Sequence, residues 1–80
     1  MFYVYVIQSV NESSQVYVGY TESLKERIDQ HNSGQSTHTA KYMPWKLVMY
    51  LAFKGESKAV EFEKYLKSGS GKVFLRQRLL

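Results

Sequence analysis

Apolar and aromatic residues run from Phe2 to Ile7, and strand alternation puts Tyr3, Tyr5 and Ile7 on one side and Phe2, Val4 and Val6 on the other. Both sides are apolar or aromatic, which predicts a strand in the middle of a sheet. Residues 9–15 are polar and read as a loop. Val16 to Tyr20 predicts a second strand, antiparallel to the first, with Tyr17 on the face of Tyr5. From about Thr21 the period changes to that of a helix, with Thr21 as its cap and Asn32-Ser33-Gly34 as its end. Residues 35–43 form a polar connector with room for one helical turn before Pro44. Trp45 to Lys54 predicts a third strand, with Leu47, Met49, Leu51 and Phe53 on one face and Val48, Tyr50 and Ala52 on the other. Lys58 to Lys67 predicts a helix capped by Ser57, with Ala59, Phe62 and Leu66 as its apolar stripe. Ser68 to Gly71 breaks it, and Lys72 to Leu80 predicts a last helix. The fold class expected is α/β (α+β), a single domain over residues 1–80 with a three-stranded antiparallel sheet flanked by helices.

Two helices carry polar residues on their apolar side. In the first, Leu24, Arg27, Ile28 and His31 fall within an arc of roughly 80–100°, whereas Glu22, Glu26, Asp29 and Gln30 face the other way. In the second, Glu63 lies inside the stripe, one turn from Ala59 and from Leu66, while Glu61 lies opposite with the solvent. Charged groups seldom point inward without a partner or a task.

Charge and composition narrow the tasks available. The 80 residues carry a net charge of +4 and contain no cysteine, which excludes disulfides and thiolate metal sites. Residues 64–80 hold Lys64, Lys67, Lys72, Arg76 and Arg78 and no acid, so the basic excess is at the C-terminal end, as suits a phosphate backbone. The apolar N-terminal run is too short to span a membrane and has no leader-like flanks, so a cytoplasmic protein is expected. Gly69-Ser70-Gly71-Lys72 is not a phosphate loop, because Leu66 and Val73 stand where glycine and Ser/Thr are needed. His31 and His38 alone do not make a zinc pattern.

Tyr5, Tyr17, Arg27, His31 and Glu63 together suit phosphodiester hydrolysis. A carboxylate can hold Mg²⁺, an arginine can grip a phosphate through paired hydrogen bonds, and a base can take a proton from water. The same residues carry a resemblance to the GIY-YIG nuclease family. Tyr3-Val4-Tyr5 stands where the family has Gly-Ile-Tyr, and Tyr17-Val18-Gly19 where it has Tyr-Ile-Gly. Arg27, His31 and Glu63 follow in order, and the likeness runs over nearly the whole chain, closest to small stand-alone bacterial members.

The resemblance implies a divalent-metal-dependent DNA endonuclease, with DNA repair or structured DNA as its setting. It implies that Glu63 is the sole protein ligand of one Mg²⁺ or Mn²⁺ and that Arg27 contacts the scissile phosphate. It implies that Tyr17 activates or orients the water, that Tyr5 assists and that His31 positions or deprotonates one of these groups. A tyrosine base needs positive charge nearby to lower its pKa. Lys41, Lys67, Lys72 and Arg76 are the expected contacts to the DNA backbone, and a partner protein is expected to supply targeting. The sequence departs from the family in having Tyr3 for glycine and no asparagine after Glu63.

Taken singly, each residue also has a structural reading. The tyrosines suit half-buried strand positions, Arg27 and His31 can pack their stems, and Glu63 can pair with Lys67 or Arg27. The alternative function is a nucleic-acid-binding module with weak or no cleavage, which the absent asparagine favours. A third is a structural or interaction domain with a solvated basic end.

Overall fold

A computed structural model describes residues 1–80. Strands β1 (Phe2–Ser9), β2 (Val16–Thr21) and β3 (Trp45–Phe53) form one antiparallel sheet in the order β2-β1-β3. The doubly apolar β1 is the central strand, as its pattern predicts. Helices α1 (Leu24–Asn32) and the one-turn α2 (Thr37–Ala40) cover the face of Tyr5 and Ile7, with Leu24, Ile28 and Trp45 in the packing. Helices α3 (Glu56–Lys67) and α4 (Gly69–Arg78) cover the face of Val4, Val6 and Val18 with Ala59, Leu66 and Leu75.

The element ends differ from the sequence reading for identifiable reasons. Thr21 pairs with Tyr3 and so stays in the sheet. Its hydroxyl accepts the Ser23 N–H at 3.1 Å instead of capping a helix there, and α1 begins at Leu24. Helix α1 does end at the expected place. Gly34 takes φ 80°, a left-handed conformation that glycine adopts without penalty, and Gln35 N–H returns to the Gln30 carbonyl at 3.2 Å. Helix α3 starts at Glu56 after Gly55, two residues before the expected Lys58 and not capped by Ser57.

Helix α4 starts at Gly69, not Lys72. The Ser68 hydroxyl accepts the Gly71 N–H at 3.2 Å, so the Ser68–Gly71 segment ends one helix and caps the next. Gly71 is buried where α4 meets α3. A Cβ there would run into the Tyr65 carbonyl oxygen and lie 2.5 Å from Leu66 Cα.

Strict alternation fails in β3. Met49 pairs with Val6 but Leu47 with Ile7, so Val48 is an extra residue. Leu47 therefore shares the Ile7 side, while Met49, Leu51 and Phe53 share the side of Val6, Val4 and Phe2. The expected four-residue face is split at this bulge. Two polar ties join the layers. Asn32 Oδ1 accepts the Trp45 N–H and Asn32 Nδ2 donates to the Trp45 carbonyl at 3.0 Å, locking the end of α1 to the start of β3. Tyr20 donates its hydroxyl proton to Glu56, and this bond pushes the Tyr20 pKa up to about 12.

Candidate active site

Tyr5 lies on the central strand, yet its hydroxyl lies over the neighbouring strand at Gly19. Its direct partner across the ladder is Gly19. The phenol ring lies over that glycine, where a Cβ would overlap the hydroxyl end and approach Tyr5 Cε1 to 2.8 Å. Gly19 is thus required for space, since its φ is not positive. The fully buried Tyr5 hydroxyl meets His31 Nε2 at 2.8 Å. His31, also fully buried, places Nδ1 2.7 Å from Thr39 Oγ1. Three buried polar side chains from β1, α1 and α2 therefore form one continuous row.

Tyr17 joins from β2. Its ring centroid is 5.1 Å from that of His31 and 6.4 Å from that of Tyr5. Arg27 departs from expectation, for it is solvent-exposed and not turned into the core. Its length lets the guanidinium reach solvent while its charge still acts on Tyr5. Its Nη1 donates to Gln30 Oε1 at 3.3 Å. Hydrogen bonding with Tyr5 raises the Arg27 pKa further. Burial raises the Tyr5 pKa above the usual tyrosine value, and this outweighs the lowering effect of Arg27. The lowered pKa expected of a tyrosine base is not found at Tyr5, which keeps its proton at neutral pH. Burial, then the Arg27 charge, pushes the His31 pKa down, so its ring is neutral.

Glu63 comes from the other face of the sheet. Its side chain is 21% exposed and pairs with Lys67 Nζ at 3.3 Å, which is the i, i+4 pairing foreseen as its structural reading. Its charge contributes to the raised pKa of both Tyr5 and Tyr20. Lys67 Nζ also stands 6.0 Å from the Tyr17 ring centre, linking the carboxylate to the aromatic group. No three His, Asp or Glu side chains converge anywhere. A hard cation that keeps most of its waters suits such a single half-buried carboxylate, whereas a full protein cage does not. Tyr17, Lys67, Lys72 and Arg76 line an open cleft of about 750 Å³ with an apolar floor that includes Val18 and Leu66. Lys41 lies outside it, on the connector after α2, with Nζ 5.5 Å from the Tyr42 ring centre.

The family model described as the GIY-YIG catalytic domain matches residues 1–77. The chain belongs to the GIY-YIG family. This is a nuclease family, which makes nuclease chemistry the general assignment. Among curated relatives, the chain is 36% identical over 78 residues to a UPF0213 protein of Pediococcus acidilactici, covering 94% of this chain and 78% of that protein. It is 37% identical over 68 residues to a UPF0213 protein of Clostridium perfringens, covering 84% and 71%. The solution NMR structure of the UPF0213 protein BH0048 from Bacillus halodurans is similar in fold, with TM-score 0.56, 31% identity and coverage of 96% and 84%. No helix of the GIY-YIG domain is long and apolar enough to cross a membrane.

Sequence reasoning missed Thr39 and Asn32. Thr39 lies on a four-residue helix, too short for any period to mark its buried side. Asn32 reads as a helix stop, and its hold on Trp45 depends on a contact thirteen residues away. A threonine eight residues after an inward histidine is the one available signal for the first.

Proposed function

We propose that the protein is a divalent-metal-dependent DNA endonuclease and that the Tyr5–His31 pair handles the proton of the attacking water. The carrying observation is the buried hydrogen bond between the Tyr5 hydroxyl and a neutral histidine beside Arg27. Water adds to the phosphorus in line with the 3′ oxygen, which leaves as that bond breaks and takes a proton from solvent, giving 5′-phosphate and 3′-hydroxyl ends. The Tyr5 hydroxyl, closed to solvent in the free protein, opens to the attacking water as DNA binds; as the water oxygen bonds, its proton passes to the Tyr5 oxygen and the Tyr5 proton passes to His31 Nε2. Tyr5 need not become a free phenolate, which its burial disfavours. Tyr17 orients the water from the facing strand. The exposed Arg27 guanidinium holds the phosphate oxygens and stabilises their added charge. Glu63 would hold a divalent cation, which would supply charge neutralisation at the leaving oxygen. Lys67 would then release Glu63 and turn to the DNA backbone with Lys72 and Arg76, while Lys41 makes a separate contact beyond the cleft.

The test is nicking of supercoiled plasmid and of branched DNA with Mg²⁺ or Mn²⁺ and with EDTA, wild type beside Glu63→Ala. Metal-dependent cleavage that the variant loses supports the proposal. Salt-sensitive binding without cleavage in either protein supports the binding-module reading, which the Glu63–Lys67 pair and the absent asparagine favour.

A further inference from the structure

The row of hydrogen bonds at the site does not stop at the histidine. Thr39 Oγ1 meets Nδ1 at 2.7 Å and the Ser36 carbonyl at 3.4 Å. Its own backbone carbonyl accepts the Trp45 indole N–H at 2.8 Å, which anchors the one-turn helix to the start of β3. Thr39 is 1% exposed, and Tyr5 and His31 are fully buried. Bulk water is therefore not available to repair a misdirected proton at His31 Nδ1 or Thr39 Oγ1.

Counting hydrogens decides which imidazole nitrogen carries the proton. If His31 carried its proton on Nε2, it would donate to the Tyr5 oxygen, and the buried Tyr5 hydroxyl proton would have no acceptor. Thr39 would also have to turn its single proton from the Ser36 carbonyl to Nδ1. With the proton on Nδ1, every group is satisfied. Tyr5 donates to Nε2, Nδ1–H donates to Thr39 Oγ1, and Thr39 donates to the Ser36 carbonyl. This agrees with the absence of any unpartnered buried side-chain polar atom in the fold.

We infer that Thr39 is a positioning residue that fixes His31 in its Nδ1–H form, leaving Nε2 free to accept the Tyr5 proton. Its importance to rate rests on the proposed role of the Tyr5–His31 pair, but the tautomer assignment does not. Removing the Thr39 hydroxyl leaves the Nδ1–H without its acceptor. The ring then shifts its proton or turns, and the Tyr5 hydroxyl loses its acceptor.

Nitrogen-15 NMR of the imidazole rings reads the tautomer directly, in wild type, Thr39→Val and Thr39→Ser. The chain has two histidines, and the exposed His38 provides the internal reference. Above the ordinary histidine titration, wild-type His31 should show a protonated Nδ1 and a bare Nε2. Thr39→Val should shift the population toward Nε2–H, and Thr39→Ser should restore it. In a nicking assay Thr39→Val should lower kcat by about 10- to 100-fold with KM little changed, by analogy with the cost of misplacing a reacting group.

A wild-type His31 protonated on Nε2 overturns the inference whatever the variants do. So does a Thr39→Val protein with unaltered tautomer and rate. If Thr39→Val does not fold, the wild-type tautomer and the Thr39→Ser rate still decide. The expected tautomers without cleavage in any protein or metal leave Thr39's assignment standing and remove the proposed function instead. Metal-dependent cleavage with a wild-type Nε2–H ring removes the Thr39 assignment and the Tyr5–His31 proton path, and leaves the metal-dependent nuclease reading standing.

Discussion

Replacing Gly19 by alanine tests the packing on which the site depends. The new Cβ would stand 2.8 Å from Tyr5 Cε1, against about 3.5–4.0 Å for an ordinary carbon contact. The Tyr5 ring is fully buried in a cluster with Ile7 and Trp45 and cannot yield outward. Overpacking of this kind costs about 1–3 kcal/mol. If the ring gives way, the Tyr5–His31 hydrogen bond breaks and strands a buried nitrogen, at about 1–3 kcal/mol. Since one relief partly replaces the other, Gly19→Ala should destabilise by about 2–4 kcal/mol.

A domain of 80 residues has about 4–12 kcal/mol in all, so the melting temperature should fall by about 10–30 °C. The assay is denaturant unfolding of Gly19→Ala alone and in a Tyr5→Leu background. Leucine lacks the Cε1, Cζ and hydroxyl atoms that the Cβ would meet. In that background the alanine should cost less than about 0.5 kcal/mol, because glycine in a strand has no advantage of its own. Equal costs in the two backgrounds would refute the close approach of ring and strand.

Other perturbations probe the remaining parts. Gly71→Ala should destabilise toward the upper end of about 1–3 kcal/mol, although alanine suits a helix better, because it meets the Tyr65–Leu66 backbone. A neutral or raised melting temperature would contradict the tight α3–α4 crossing. Burial and Arg27 hold the His31 pKa below its ordinary value, so folding favours the neutral ring. The associated stability is complete above about pH 6.5 and is lost as pH falls below that, toward the lower folded-state pKa. His31→Gln should remove this decline, and an acid profile parallel to wild type would exclude His31 as its source. Lys67→Ala, Lys72→Ala and Arg76→Ala should each weaken DNA binding and reduce the slope of log affinity against log salt by about 1. A slope unchanged in all three would remove the cleft as the DNA path.

Much of this arrangement is legible in the sequence because it rests on period. The two apolar faces of β1 mark it as central, alternation brings Tyr17 to the side of Tyr5, and helical spacing separates Glu63 from Glu61. Helical spacing also turns His31 inward, where it is fully buried. It places Arg27 on the same side but cannot say where a long side chain ends, and the guanidinium comes to lie at the surface. The bulge at Val48 is invisible to alternation, since nothing local to Leu47-Val48-Met49 requires an extra residue. Helix α4 begins early because Gly71 fits against a neighbouring backbone, a property of two helices together. Thr39 escapes notice because a single turn has no period.

The sheet divides the candidate site into two separately supported parts. Tyr5, His31 and Thr39 are held by α1, α2 and the Asn32–Trp45 clamp, all within the first 45 residues, whereas Glu63, Lys67 and the basic cleft belong to the opposite layer. The two parts meet across β2, an edge strand with one neighbour in the sheet. Their spacing is therefore set by where β2 lies against β1 and α3. Substitutions in the first 45 residues therefore act on the Tyr5–His31–Thr39 row and on Arg27, and substitutions in α3 and α4 act on Glu63 and the basic cleft.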